Sequence, residues 1–188
     1  MKKIGVVGVC IGGTSLFYPY FVRQAILRFD KKNSEVFIHQ LPLEKVDDAF
    51  NQLTKQNFKP LVDLILYSIN QLKKFDVDII VIPNNAAHTV IDIVQTKSPI
   101  PVINLVDVIN EYCVTHKFKK ILTLGTRWLM EQRLFQKRYQ RLANKERCEF
   151  LNAAQYVSSS QVDGVHLDES SHIKLGKAIA KKVEQIFT

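Results

Sequence analysis

The fold is decided by the run Lys3–Val9, KIGVVGV, which is short, rich in β-branched residues and apolar after its first position. Such a run is typical of a strand buried on both faces of a parallel sheet. Similar runs recur at residues 35–41, 78–83, 101–105, 120–124 and 148–152, and segments with helical periodicity alternate with them. The pattern predicts a single α/β domain over residues 1–188: a doubly wound, flavodoxin-like, mainly parallel sheet of about six strands with helices on both faces.

Local signals refine the prediction at the first turn. Gly12 and Gly13 indicate a loop after the first strand, and a helix is predicted over about residues 15–29, with Thr14 or Ser15 as its N-cap. No regular element is predicted for residues 42–59. A last helix is expected to begin near Ser170.

Charge is distributed unevenly along the chain. The formal net charge is +8, and residues 117–147 contain ten basic and two acidic side chains, which account for all of it. A helix is predicted from about residue 126 to 144, with Trp128, Phe135 and Tyr139 on one side and the basic residues largely on the other. The aromatic side is therefore expected to be buried, and nucleic acid is not an expected partner.

Apolar segments and cysteine spacing indicate the cellular compartment and the state of the thiols. The chain shows no leader-like apolar region and no apolar stretch near the roughly 18 residues of a membrane span, so no membrane association is expected. Cys10, Cys113 and Cys148 are odd in number and far apart, which predicts free thiols rather than disulfides or a zinc site. We expect a cytoplasmic protein.

In folds of this type the site lies at the carboxyl ends of the strands. Several loops expected there resemble those of the aspartate/glutamate racemases, over about residues 1–135. The resemblance is carried by residues 3–8, by Thr14-Ser15 with Tyr18, by residues 99–102 and 124–126, and above all by Pro83–His88, PNNAAH, which is similar to the family's PCNTAH.

The racemase resemblance implies a reaction without cofactor or metal, in which two cysteines on opposite faces of the substrate's α-carbon exchange a proton. It assigns substrate binding to Ser15, Asn84, Asn85 and Thr126. The sequence departs from the family where Asn84 takes the first cysteine's position, Ala86 replaces the threonine, and the second cysteine has no counterpart. Because an amide has no usable proton affinity, we expect a small amino acid or dicarboxylate to bind, without two-cysteine racemisation.

The tail resembles a second family. From about residue 133 to 188 the chain is similar to the end of an SGNH (GDSL-type) hydrolase, with the Asp-x-x-His pair Asp163 and His166 inside VDGVHLD. That resemblance implies His166 as general base and Asp163 as its orienting carboxylate. Strand order then places Cys10 at the nucleophile's position and Asn85 as oxyanion donor, which predicts an ester hydrolase as the alternative function.

Three functions therefore stay open at this point: a racemase-family protein that binds a small carboxylate, an ester hydrolase, and a non-catalytic ligand-binding protein. For each of these functions the alternative is a purely structural role of the same residues. Cys10 would then be a small buried residue, and the two asparagines would stabilise their loops by hydrogen bonds. The expected partner is a small-molecule carboxylate or ester, and a homo-oligomer stays open.

Overall fold

The computed structural model describes residues 2–28, 34–118, 120–121, 140, 144, 149–150, 155–158 and 168–187. The chain divides into two compact units, Met1–Leu105 and Val106–Thr188. In the part that the structure describes, each unit contains a parallel sheet. No helix in that part has both the length and the apolar composition needed to cross a bilayer.

The first unit alternates strands and helices. Its elements are β1 (Ile4–Gly8), α1 (Ile11–Arg28), β2 (Val36–Gln40), α2 (Leu43–Thr54), α3 (Lys59–Lys73), β3 (Ile79–Val81), a 3₁₀ helix (Ala86–Val90) and α4 (Ile91–Lys97). The strands form a parallel sheet in the order β2-β1-β3. The predicted α/β class with a parallel sheet is confirmed.

The strand order also determines the layers. The chain moves from β1 to β2 on one side and then returns across β1 to β3, so right-handed crossovers place α1 and the α2–α3 pair on opposite faces. Gly5 shows how tightly this face is packed: a Cβ there would lie 2.7 Å from Ile80 Cδ1 of β3 and 3.3 Å from Leu72 Cδ1 of α3. The largest fully buried side chains come from α2, α3, β1, β3, the 3₁₀ helix and α4, among them Leu53, Leu61, Ile65, Ile69 and Ile80.

Fewer strand residues are described than the sequence predicted. The expected strand 101–105 is reduced to an isolated parallel bridge between Val102 and Ile80, because Pro101 has no N–H to donate and α5 (Leu105–Thr115) begins directly afterwards. In the second unit the structure describes β4 (Lys120–Ile121), which pairs in parallel with β5 (Glu149–Phe150), and then α6 (Glu169–Phe187). The predicted basic helix lies almost wholly outside the described residues, as do its aromatic residues.

Helix α2 was not predicted. Its buried side chains are Val46, Ala49 and Leu53, and Leu43 and Phe50 extend the same apolar side. These positions do recur at helical spacing, within a segment that is otherwise rich in charged and amide side chains. Packing against α3 supplies the stability that the local sequence lacks.

Two helices end in the same left-handed turn without a glycine. After α2, Gln56 has φ 57°, its N–H donates to Leu53 O (2.9 Å), and the N–H of Asn57 donates to Gln52 O (3.1 Å). After α5, Lys117 has φ 53° and the same pair of bonds forms to Val114 O and Cys113 O. Both are Schellman caps, in which a residue other than glycine or asparagine is unfavourable.

Replacing Gln56 with glycine should therefore stabilise the protein. We expect Gln56→Gly to raise the free energy of unfolding by about 1 kcal/mol, since glycine removes the Cβ that disfavours this φ. Urea denaturation measures the change. Gln56→Ala keeps a Cβ and should show no gain, whereas a loss of stability in Gln56→Gly would contradict the prediction.

The start of α6 is capped by Asp168. Its Oδ1 accepts the backbone N–H of Ser171 (2.7 Å) and the hydroxyl of Ser170 (2.9 Å). These hydrogen bonds, the one from the Ser171 backbone first, lower the pKa of the Asp168 carboxyl below its usual 3.8, and Lys174 contributes in the same direction. The ionised side chain thus satisfies a helix N-terminus, which attracts negative charge.

The capping role predicts a pH-dependent loss of stability. Because the folded-state pKa of Asp168 is lowered, its contribution is present above pH 3.8 and disappears as the pH falls through the folded-state pKa. Asp168→Ala should lower the Tm at neutral pH, and the difference from wild type should shrink on acidification. Asp168→Asn, which keeps a capping oxygen, is the control and should lose less. An Asp168→Ala difference that is independent of pH would show that the carboxylate does not act as the cap.

Candidate active site

The site forms where the loops after β1 and β3 meet at the carboxyl edge of the sheet. Gly13, in the first turn of α1, lies against the backbone carbonyl of Pro83, and a Cβ at this position would collide with that oxygen. Glycine is therefore required here for a close approach of two backbones. Gly12 next to it faces open space, and a Cβ added there would meet no heavy atom within 4 Å.

Cys10 caps helix α1. Its backbone carbonyl accepts the N–H (3.2 Å) and the hydroxyl (3.0 Å) of Thr14, and its sulfur accepts the N–H of Gly13 at 3.3 Å. An N-cap side chain that accepts from the third helical N–H is the standard arrangement, here with sulfur in place of oxygen. The thiol is half-buried.

The start of α1 corrects the sequence prediction. The helix begins at Ile11 rather than near Ser15, and its cap is Cys10 rather than Thr14 or Ser15. The hydroxyl of Ser15 instead donates to Gly12 O (3.2 Å) within the helix. Glycine is a poor helix former, so the two glycines predict a loop, yet both lie in the first turn of α1. The close approach of the Pro83 carbonyl explains why residue 13 is glycine.

Asn84 joins the two loops. Its Nδ2 donates to the sulfur of Cys10 at 3.3 Å, and its Oδ1 accepts the N–H of Ala87 at 2.8 Å. The second contact fixes the orientation of the amide, because only the oxygen can accept from a backbone N–H. One Nδ2 hydrogen and one Oδ1 lone pair are still available to a ligand.

His88 supports the loop that carries Asn84. The imidazole is 1% exposed, and its Nδ1 lies 2.8 Å from the backbone carbonyl of Asn84. Nδ1 must carry the proton, since a carbonyl oxygen only accepts. The His88 N–H also donates to Asn85 O (3.1 Å), so backbone and side chain of His88 both fix the loop.

The predicted site residues are only partly brought together. Cys10 and Asn84 are in contact; Asn85 is exposed on the same loop, and Ser15 is exposed about one turn further along α1. Thr126, Asp163 and His166 lie outside the described residues, so the proposed Cys10, His166 and Asp163 set and the role of Thr126 stay predictions. Sequence reasoning did not identify Gly13 as a donor to sulfur or His88 as the support of Asn84. In the sequence, the features that mark these two residues are the glycine pair Gly12-Gly13 and the histidine at the end of PNNAAH.

The groups at this edge are of kinds that favour anions. The N-terminus of the 18-residue helix α1 provides partial positive charge, the Asn84 amide adds a donor, and the Cys10 thiol lies between them. Within the described ranges, no group of three His, Cys, Asp or Glu side chains is placed to hold a metal ion.

Comparison with solved structures finds the same fold in several racemase homologues. A candidate Asp/Glu racemase from Yersinia pestis has a TM-score of 0.71 at 19% identity, over 98% of this chain and 81% of that chain. An aspartate racemase homologue from Pyrococcus horikoshii has a TM-score of 0.62 at 20% identity, over 78% and 69% of the two chains. An aspartate racemase from Picrophilus torridus has 0.61 at 17% identity, over 76% and 60%. At these identities the likeness shows the fold alone.

Sequence comparison extends the assignment to nearly the whole chain. No curated protein sequence matches. The Asp/Glu/Hydantoin racemase family model matches residues 4–185, which include most of the segment that resembled an SGNH hydrolase. The SGNH resemblance is therefore not supported, whereas the racemase resemblance holds well beyond residue 135. The chain belongs to the Asp/Glu/Hydantoin racemase family.

Proposed function

We propose that this protein binds a small amino acid or dicarboxylate at the edge formed by Cys10, Asn84 and the N-terminus of α1, and that it does not carry out two-cysteine racemisation. The observation that carries the proposal is the pair of hydrogen bonds of Asn84, at the position of the family's first cysteine, to Cys10 Sγ (3.3 Å) and to the Ala87 N–H (2.8 Å).

Asn84 is suited to binding and not to proton transfer. A carboxamide does not accept or release a proton near neutral pH, whereas it both donates and accepts hydrogen bonds. Its oxygen is directed to the backbone of the 3₁₀ helix, so its nitrogen faces the thiol and the space beside it. A ligand carboxylate can accept the second Nδ2 hydrogen.

The first turn of α1 supplies the other half of the carboxylate site. Backbone N–H groups at a helix N-terminus carry no partner within the helix and stabilise anions. Open space around Gly12 leaves this end of the helix accessible. Asn85, exposed near the same edge, offers an amide donor for a second carboxylate, and the Ser15 hydroxyl, which donates to Gly12 O, can accept from an amino group.

Cys10 is the thiol of this site. Its sulfur already accepts from Gly13 N–H and Asn84 Nδ2, so two of its contacts are made to the protein. To remove an α-proton, the sulfur would have to direct a lone pair to the substrate carbon instead. This is why we assign Cys10 to the architecture of the binding site rather than to proton exchange.

Titration with candidate ligands tests the proposal. Calorimetry with L-aspartate, D-aspartate, L-glutamate and succinate should show saturable binding of at least one of them. In deuterated water the α-proton NMR signal of the bound amino acid should persist, with no opposite enantiomer formed. A signal that disappears with wild type and persists with Cys10→Ala would establish proton abstraction by this thiol and overturn the non-catalytic part of the proposal.

A matched pair of glycine variants tests the location of the site. Gly13→Ala places a methyl group against the Pro83 carbonyl and the Cys10 sulfur, which should force the two loops apart and abolish ligand binding. Gly176→Ala introduces the same methyl group into open space on α6 and should bind as wild type, with calorimetry as the measurement. Equal affinity in the two variants would show that the ligand binds elsewhere.

A further inference from the structure

A second concave surface lies away from the Cys10 and Asn84 loops. It is a cleft of about 830 Å³ between the end of β2, helix α2 and the first half of α3, within the first unit. The volume is in the range of small-molecule sites. Among the described residues that line it, none is Cys10, Ser15, Asn84 or Asn85.

Several polar side chains of the cleft are already engaged. Gln40 Nε2 donates to Gly8 O (2.9 Å) and Leu41 O (3.2 Å), Gln52 accepts from Asn57 (3.4 Å), and Asp63 pairs with Lys59. Lys45 and Asp48 differ: both are exposed, and among the described residues neither forms an ion pair. They lie one turn apart on α2, so an unpaired cation and an unpaired carboxylate share one wall of the cleft.

His39 presents a donor on the facing side. Its Nδ1 lies 2.8 Å from the hydroxyl of Ser68, which is fully buried and has no other hydrogen bond within the described residues. A buried hydroxyl needs an acceptor, so Ser68 donates to Nδ1 and the neutral ring carries its proton on Nε2. Burial lowers the pKa of His39, which keeps this neutral form at physiological pH.

An aromatic and aliphatic surface completes the cleft. The Tyr67 ring packs edge-on against His39 with centroids 5.7 Å apart, and Leu64 and Pro42 line the same cavity. Tyr67 is 54% exposed, so much of its ring is accessible to a ligand. The cleft therefore combines one positive group, one negative group, an N–H donor and an apolar wall.

We propose that this cleft is a second ligand site, which binds a free α-amino acid with an apolar side chain. Lys45 and the His39 N–H bind its carboxylate, Asp48 binds its ammonium group, and the side chain lies on Tyr67. Opposite charges one helical turn apart match a zwitterion better than they match a simple anion or cation. The site is independent of the one proposed for Cys10 and Asn84.

Calorimetry with L-leucine as the probe tests the proposal. Wild type should bind L-leucine, and Asp48→Asn should weaken the affinity about tenfold, because a hydrogen bond between two charged groups is lost. Asp47→Asn is the matched control: it removes the same charge from the adjacent exposed position, which does not line the cleft, and should leave the affinity unchanged.

A third variant distinguishes binding at the two sites. Gly13→Ala, which should abolish binding at the Cys10 edge, should bind L-leucine as wild type does. No binding of L-leucine up to its solubility would overturn the proposal, as would equal affinities of wild type and Asp48→Asn. Loss of L-leucine binding in Gly13→Ala would show that the amino acid binds at the Cys10 edge instead.

Discussion

The candidate site depends on the contact between Gly13, in the first turn of α1, and the Pro83 carbonyl. Only a residue without a Cβ can make this contact. With Gly13 in place, its N–H reaches the sulfur of Cys10, and the sulfur in turn lies within 3.3 Å of the Asn84 amide. The Ala87 N–H and the buried His88 ring then fix Asn84 from the other side. A single methyl group at residue 13 would separate the two halves of this chain of contacts.

The sheet order explains why these loops meet at all. Since β1 lies between β2 and β3, its carboxyl end has a neighbouring loop on each side. On the β3 side the neighbour is Asn84, which forms the candidate site. On the β2 side the Gln40 side chain covers Gly8 and donates a hydrogen bond to the Gly8 carbonyl oxygen. Protein atoms therefore occupy that side of β1. The site at the Cys10 loop is thereby confined to the β1–β3 side, whereas the separate cleft lined by His39 and Gln40 lies at the end of β2.

Much of the fold could be predicted from the sequence because buried parallel strands are encoded locally, as in residues 3–9 and 78–83. The carboxyl-edge rule likewise selected the two loops that the structure brings into contact through Cys10 and Asn84. Two elements escaped prediction. Gly12 and Gly13 lie in α1 although glycine disfavours helices, and the reason for glycine at residue 13, the approach of the Pro83 carbonyl, is a tertiary contact. Helix α2 carries apolar residues at helical spacing within a segment rich in charged and amide side chains, and packing against α3 buries them.

The relation between Cys10 and Asn84 bears on how a family site can change its chemistry. The family motif carries its thiol on the loop after β3, whereas here that loop carries an amide and the thiol comes from the loop after β1, within hydrogen-bond distance. The sulfur caps a helix, with Gly13 and Asn84 as its donors. Under the proposed function, the thiol is held by the same contacts that build the carboxylate site, so moving it toward a substrate's α-carbon would break those contacts. Binding and proton exchange would then compete for one side chain.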